Sequence, residues 1–169
     1  MSAAIINDEE EMAIKSGPQY LLFYIHATLF ALRAEYISEI VELPKVTKVP
    51  WMQKCLKGVC NIRGSVIGVL DIAKYLMDAD LSLSEKSALV ILLIEFEGIK
   101  HRVGIIVDAV REVEVFESHE LQETPQFGLP FPVKYIESMA HYQGEYVPVL
   151  SLENVVDIEA LSLREVIDG

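Results

Sequence analysis

The chain has 169 residues, about half of them apolar, and a formal net charge of −12. No run reaches the roughly 18 uncharged apolar residues of a membrane-spanning helix, and the acidic start lacks the basic region of a secretory signal. The negative charge argues against general binding to nucleic acid and against direct insertion into an anionic membrane. Two cysteines, Cys55 and Cys60, are too few for a disulfide framework and indicate a reducing, cytoplasmic setting.

The first half of the chain is predicted to be mainly β. Residues 1–18 are acidic and polar, and we expect a flexible tail there. Aromatic and aliphatic runs predict strands at 20–25 and 29–32, joined by a short turn. A segment at 34–43 begins as a helix or turn and continues as an extended chain. Prolines then punctuate a loop that carries the only tryptophan.

The clearest local unit is residues 58–76. Two β-branched runs flank the polar turn Asn61-Ile62-Arg63-Gly64, which is typical of a hairpin. Asp71 follows the second run and suits the N-cap of a short helix, because its carboxylate can accept from the amides of the first turn. This unit is therefore predicted to be a strand, a turn, a second strand and a helix.

The second half repeats this organisation after a polar linker at 78–87. Apolar runs predict two strands that a Glu97-Gly98 turn joins. The predicted elements are strands at 88–96, 99–107 and 110–115, a loop at 116–135, strands at 136–142 and 145–150, and a helix from 152 to 167. Many short strands with few helices indicate a sandwich or barrel class.

Two segments occur twice in the same order. Residues 144–152 repeat the pattern of 64–72 at an offset of 80, and 110–113 repeat 37–40 at an offset of 73. Any two buried hairpins can look alike, but two matches in one order favour a duplication.

We therefore predict a mainly β fold of two lobes with about five strands each. The first lobe would lie at about 19–80 and the second at about 88–150. Residues 157–169 would form a C-terminal helix or tail.

The sequence offers no pattern typical of an enzyme. Its four histidines stand singly, without metal-ligand spacing, and neither a phosphate-binding loop nor a nucleophile elbow is present. Cys60 is expected to be a small buried residue. Asp71 and Asp108 each follow a strand, where a helix-cap or turn role is favoured over a catalytic pair. We predict no catalysis, no metal and no cofactor.

A basic island interrupts the acidic chain. No carboxylate occurs between Glu42 and Asp71, and the interval carries five cations, Lys45, Lys48, Lys54, Lys57 and Arg63. Either this island is a docking face whose positive charge attracts an acidic protein partner, or it is a solvated loop.

Four motifs in order resemble the CheW family of chemotaxis coupling proteins, and the resemblance covers about 19–156. The most specific is Gly58-Val59-Cys60-Asn61-Ile62-Arg63-Gly64, which is followed by an apolar strand that ends in Asp71-Ile72. The other three are the first strand at 20–25, the Ile37-Ser38-Glu39-Ile40 segment, and the Gly-x-x-Val-Asp-x-Val strand at 104–110.

The resemblance implies a CheW-like fold of two five-stranded SH3-like β-barrels with a few short helices. It also implies a non-enzymatic adaptor that couples chemoreceptors to the histidine kinase CheA. Its partners would be the regulatory domain of that kinase and the cytoplasmic tips of the receptors. The protein would be cytoplasmic and recruited to membrane-associated receptor arrays.

Carried over residue by residue, the resemblance also implies a partner-binding surface. Glu39 and Arg63 would form an ionic pair near the receptor groove, and Gly58 and Gly64 would hold turns that a Cβ would disturb. Three apolar residues would either line the groove between the lobes or belong to the core, and the sequence leaves both possibilities open. They are Ile37, Val103 and Val110. The lysines of the basic island complete the predicted surface, namely Lys48, Lys54 and Lys57.

Two departures bear on the pathway. The family often has proline where Gly68 stands, although Pro148 occupies that slot in the second copy. The loop at 50–54 and the phrase at 68–71 look closer to members that serve type IV pili or other alternative chemosensory systems. An unrelated peptide-binding β-barrel and a small enzyme with an unrecognised site are the other readings.

Overall fold

The structure is a computed structural model that describes residues 15–50 and 56–156. Within these residues the fold is mainly β, as predicted. The strands are β1 (Gln19–Ile25), β2 (Thr28–Arg33), β3 (Ile37–Glu42), β4 (Leu56–Ile62), β5 (Ser65–Leu70), β6 (Ala88–Phe96), β7 (Ile99–Val107), β8 (Ala109–Val115), β9 (Leu121–Gln122), β10 (Ile136–Tyr142) and β11 (Glu145–Leu150). The helices are α1 (Ile72–Met77) and α2 (Leu152–Val155), with 3-10 turns at Ala34–Tyr36, Ser118–Glu120 and Val133–Tyr135.

The strands form two sheets. The first sheet has the order β8-β1-β2-β11-β10-β9, and the second has the order β3-β6-β7-β5-β4. Neighbouring strands are antiparallel, except that β2 pairs with β11, and β5 with β7, in parallel. The first sheet has six strands where five were predicted, because the two-residue strand β9 adds to β10.

Each sheet draws its strands from both halves of the chain. The hairpin β1–β2 pairs with β8 and β11, and the hairpin β6–β7 pairs with β3 and β5. The two repeats have therefore exchanged their first hairpins, so the expected boundary between lobes at 19–80 and 88–150 does not separate the sheets. Because the two hairpins pack face to face, the strand that leaves one of them reaches the edge of the other.

Each sheet curls until the chain joins its two edges. In the second sheet, Thr47 follows the edge strand β3 and pairs with Val59 on the other edge strand, β4, through two backbone hydrogen bonds of 2.8 Å. In the first sheet, β9 follows the edge strand β8 and pairs with β10. Joined edges make each sheet a small barrel, and the two are called here the first barrel and the second barrel.

The apolar residues divide into three clusters because successive residues of a strand point to opposite faces. The cluster around Tyr20 and Leu22 fills the first barrel, and the cluster around Leu89 and Ile91 fills the second. A larger cluster lies between the barrels and combines β1, β2, β6 and β7 with both helices. This shared core, in which each fully buried large apolar side chain contributes about 1.5–3 kcal/mol, holds the barrels together.

The predictions for the two ends of the chain fall largely outside the described residues. Of the expected tail at 1–18 only 15–18 are described, and the expected helix or tail at 157–169 lies wholly outside. Trp51 and the predicted partner-binding residue Lys54 also lie outside the described residues.

Candidate partner-binding surface

The turn between β4 and β5 presents Arg63 to solvent. Arg63 and Gly64 both adopt left-handed backbone conformations, with φ of +49° and +86°, and the flanking Ile62 and Ser65 pair directly. This is the geometry of a two-residue hairpin turn whose twist matches that of its strands. The Gly64 amide donates to Asn61 Oδ1 at 2.9 Å, which fixes the turn. The predicted hairpin is therefore present, and Gly64 holds a turn as expected.

A bulge in β3 aims Glu39 toward that turn. Ile37 lies opposite Leu92 and Glu39 lies opposite Ile91, with the register shifting between them. Residues two apart normally share a face of a strand. The bulge instead directs Ile37 to the core between the barrels and Glu39 to the open end of the second barrel.

Glu39 joins two guanidinium groups. Its Oε1 accepts from Arg63 Nη2 and, at 2.7 Å, from Arg102 Nη2 on β7. The predicted pair of Glu39 and Arg63 is thus in contact. Sequence reasoning missed Arg102, which no motif marks, because only the strand register brings it to Glu39.

The pair of Glu39 and Arg63 in this cluster contributes little to stability. The Arg63 side chain is 67% exposed, and an exposed ion pair contributes less than about 1 kcal/mol to folding. Two cations share one carboxylate, so the cluster has a net positive charge in an acidic protein. Such a site suits a carboxylate from a partner, because a guanidinium can bind a second acceptor in its plane.

Two of the three predicted groove residues lie on the same patch of the core. The strand registers place Ile37, Leu92 and Val103 side by side across β3, β6 and β7. Val103 is 4% exposed and belongs to the core between the barrels, and Ile37 is partly buried against that core. Val103 therefore has almost no surface to offer a partner.

Val110 lies elsewhere, on the edge strand β8 of the first barrel. It is 36% exposed, and Val113 on the same strand is 53% exposed. β8 thus presents apolar side chains to solvent, which is a common feature of interaction surfaces.

Alanine substitutions should separate the roles of these two valines. V103A should lower the free energy of unfolding by about 2 kcal/mol, since it opens a cavity in the core. V110A should change that free energy by less than about 0.5 kcal/mol. Urea denaturation of both variants measures the difference, and equal losses would contradict this assignment.

Gly58 is a strand residue, not the turn residue that was expected. It lies in β4, next to the bridge between Thr47 and Val59, and a Cβ on Gly58 would collide with the Thr47 carbonyl group. Its role is therefore to let two backbones approach closely. Gly58 allows the Thr47 segment to pack on β4, and it has no side chain that could contact a partner.

Two lysines of the predicted surface lie in the described part of the basic island. Lys57 is half-buried, and its charge acts on Asp71, whose pKa it lowers against the larger effect of burial. Lys48 is exposed next to Thr47, and the antiparallel bridge at Thr47 directs it toward Gly58. Of the three predicted lysines, Lys48 is thus the exposed one among the described residues.

Asp71 is a buried carboxyl at the start of α1. Its Oδ1 accepts no hydrogen bond from the described residues. Burial raises the pKa of Asp71, and the opposing effects of Lys57, Lys74 and the first amides of α1 are smaller. The N-cap position was predicted, but the burial of the carboxyl depends on packing and was not.

This raised pKa gives a prediction with a definite sign. Between the unfolded pKa of about 4 and the raised folded pKa, the folded state binds more protons, so the contribution of Asp71 to stability falls as pH rises. D71N removes this contribution. The stability of D71N relative to the native chain should therefore increase from pH 4 to pH 7 in urea denaturation, and a constant or decreasing difference would contradict the assignment.

Across 15–50 and 56–156, no three His, Cys, Asp or Glu side chains are grouped closely enough to hold a metal ion. Cys60 is buried, and burial raises the pKa of its thiol. Asp108 accepts two backbone hydrogen bonds. Among the described residues, neither α1 nor α2 has the length of a membrane-spanning helix.

Comparison with known proteins agrees with this geometry. The family model of the CheW-like domain matches residues 19–160. The chemotaxis protein CheW of Bacillus subtilis is 24% identical over 147 residues, which are 87% of this chain and 92% of that protein. Its counterpart in Thermotoga maritima is 25% identical over 150 residues, which are 87% of this chain and 91% of that protein.

A solved structure has the same fold. The crystal structure of the scaffolding protein TtCheW from Thermoanaerobacter tengcongensis superposes with a TM-score of 0.72 at 24% identity, and the match covers 81% of this chain and 86% of that one. The family model covers both barrels, the turn of Arg63 and the bulge of β3. This chain therefore belongs to the CheW-like domain family.

Proposed function

We propose that this protein is a chemotaxis adaptor that couples chemoreceptors to the histidine kinase CheA and performs no catalysis itself. The observation that carries the proposal is the family match over 19–160, which spans nearly all of the described chain. Its relatives are chemotaxis proteins, and the solved structure with the same fold is that of a scaffolding protein.

The architecture suits an adaptor because it offers separate outward faces. The cluster of Glu39, Arg63 and Arg102 lies at one end of the second barrel, and the apolar β8 belongs to the first. Partners on different faces can bind together, and the shared core between the barrels can couple their effects. A local positive site on an acidic chain also steers an acidic partner to one place.

In this proposal the cytoplasmic tip of a receptor binds beside Arg63 and Glu39. Ile37 flanks that site, whereas Val110 lies on β8, the separate apolar face of the first barrel. Lys48 contacts the regulatory domain of the kinase, and Lys54, which lies outside the described residues, is assigned to the same contact from the sequence alone. The protein acts in the cytoplasm and joins membrane-associated arrays through these two partners.

A charge reversal tests the receptor contact. R63E should weaken binding to a receptor-tip fragment at least about tenfold, which equals 1.4 kcal/mol, because it replaces a guanidinium with a second carboxylate beside Glu39. Isothermal titration measures the affinity. Melting should change little, since the pair is exposed.

Q143E is the control at the equivalent turn, and it changes the net charge by one unit where R63E changes it by two. Gln143 has the same φ of +49° at the same position of the second repeated turn, and Gly144 follows it as Gly64 follows Arg63. Q143E introduces the same carboxylate on the first barrel. If Q143E weakened receptor binding as much as R63E does, the effect would come from net charge and not from the Arg63 site.

The function itself is tested by the formation of a ternary complex. A receptor-tip fragment is immobilised, and the regulatory domain of the kinase is added with and without this protein. The kinase domain should be retained only when the protein is present. Retention of either partner but never both would contradict the adaptor role.

A further inference from the structure

The wall of the second barrel contains a cavity of about 360 Å³ between β5 and β7. The parallel pairing that the structure describes between these strands begins at Gly68 and Val103. The residues that precede this pair, 65–67 on β5 and 100–102 on β7, line the cavity. Val66 in this lining is 71% exposed, so the cavity is accessible from solvent. We call it the β5–β7 cavity.

The duplicated fold explains why this cavity belongs to the second barrel. The register relates Gly104 on β7 to Ala31 on β2, because each pairs in parallel with the equivalent residue of the repeated hairpin. β7 begins at Ile99 and extends further beyond Gly104 than β2 extends beyond Ala31. The longer strand supplies one wall of the cavity. Gly68 also leaves open the place that Pro148 occupies on β11, at the offset of 80.

The β5–β7 cavity is cationic, although the whole chain has a net charge of −12. Lys100 and Arg102 line it, and among the described residues no carboxylate does. Leu56 and Val66 add apolar surface to the same lining. The cavity is therefore complementary to an occupant that presents an apolar side chain next to a carboxylate.

Arg102 connects the β5–β7 cavity with the cluster of Glu39 and Arg63. Its Nη2 donates to Glu39 Oε1 at 2.7 Å, and the same side chain lines the cavity. The turn that presents Arg63 leads directly into β5, whose first residues form the opposite wall. A partner whose carboxylate binds at Arg63 would therefore lie next to the opening of the cavity.

We propose that the β5–β7 cavity is an apolar subsite of the receptor contact. It receives an apolar side chain that neighbours a carboxylate of the receptor tip, and Arg63 and Arg102 bind that carboxylate. This inference rests on the proposed receptor contact and adds the kind of residue pair that the contact recognises. The cavity then selects among acidic segments, because a segment without the apolar side chain leaves the subsite unfilled.

Two glutamate variants at equivalent positions test the proposal by isothermal titration with a receptor-tip fragment. V66E places a carboxylate in the lining beside Arg102 and should weaken binding at least about tenfold. Y146E is the matched control, because Tyr146 has the same place in the second repeated hairpin, is 52% exposed, and undergoes the same change in charge. Y146E should change the affinity by less than about twofold. Equal weakening by the two variants would overturn the proposal.

G68V fills the cavity without any change in charge. A Cβ on Gly68 would meet only a Leu56 methyl group, at 3.9 Å, and a β-branched side chain suits a strand. G68V should therefore keep a urea midpoint close to that of the native chain. It should weaken binding of the receptor-tip fragment about fivefold or more, because the added methyl groups occupy the subsite. Native affinity in G68V would overturn the proposal.

The titrations with R63E separate this inference from the proposed function. If R63E weakened binding while V66E and G68V bound as the native chain does, the receptor contact would stand and the subsite would be wrong. If the native chain did not bind the receptor-tip fragment, both would be wrong. If V66E and G68V instead weakened binding of the regulatory domain of the kinase, or changed the sedimentation of the protein alone, the occupant would be that domain or a second copy, and the proposal would be overturned.

Discussion

G58A should lower the free energy of unfolding by roughly 3 kcal/mol, although it adds a single methyl group. The new Cβ would lie 2.8 Å from the Thr47 carbonyl carbon and closer still to its oxygen. Gly58 also has a φ of +154°, which L side chains rarely adopt. Relief of the clash would break the two backbone hydrogen bonds between Thr47 and Val59, and these bonds join the edges of the second barrel. Urea denaturation measures the loss.

Gly68 provides the matched control on the neighbouring strand. It lies directly opposite Val59, yet a Cβ there would meet only a Leu56 methyl group, at the ordinary distance of 3.9 Å. G68A should therefore change stability by less than about 1 kcal/mol, and the smaller entropy of its unfolded chain favours folding. If G58A and G68A unfolded at the same urea concentration, the Thr47 backbone would be shown to move away from the new Cβ at little cost in free energy.

The lower stability of G58A should also weaken partner binding, but only because a smaller fraction of the protein is folded. Gly58 was predicted as a partner-binding residue from its place in a motif, and the structure buries it under the chain at Thr47. If the fraction of folded protein is measured, affinity per folded molecule should fall less than for R63E. A glycine can thus mark a functional surface without touching the partner.

The local elements were predictable because neighbouring residues determine them. The turn of Arg63 and Gly64 and the cap position of Asp71 follow from residue types that favour those conformations. The repeated hairpin of Gln143 and Gly144 follows for the same reason. The duplication was also visible, since two short matches kept their order.

The exchange of hairpins between the repeats was not predictable from these patterns. Whether β3 pairs with β1 or with β6 depends on which apolar faces meet in the core, and both pairings satisfy the same alternation. Arg102 was missed for a related reason, because its contact with Glu39 depends on the register of β7 and on the bulge in β3. Pairing, register and close approach are properties of the assembled fold.

D108N should strongly destabilise the protein, although asparagine has the shape of aspartate. Asp108 is 8% exposed and sits where the chain passes from β7 in the second barrel to β8 in the first. Its Oδ2 accepts from the His26 amide at 2.6 Å, and its Oδ1 accepts from the Ser82 amide at 2.9 Å. An asparagine side chain keeps one acceptor and turns an NH₂ group toward the other amide. One backbone amide then loses its acceptor, and the other keeps only a neutral hydrogen bond in place of a charge-assisted one, for a total of roughly 3 kcal/mol.

The place where hydrogen exchange accelerates in D108N shows whether Asp108 holds one barrel against the other or supports the fold as a whole. His26 belongs to the turn of the first barrel, and Ser82 belongs to the linker that packs on the second. D108N should therefore lower the melting temperature by about 6–12 °C and accelerate hydrogen exchange first at the β1–β2 turn and the linker. D78N is the control, because Asp78 is exposed and its left-handed backbone tolerates asparagine. Exchange that rises equally in both barrel interiors would mean that Asp108 supports the fold as a whole and does not lock one barrel to the other.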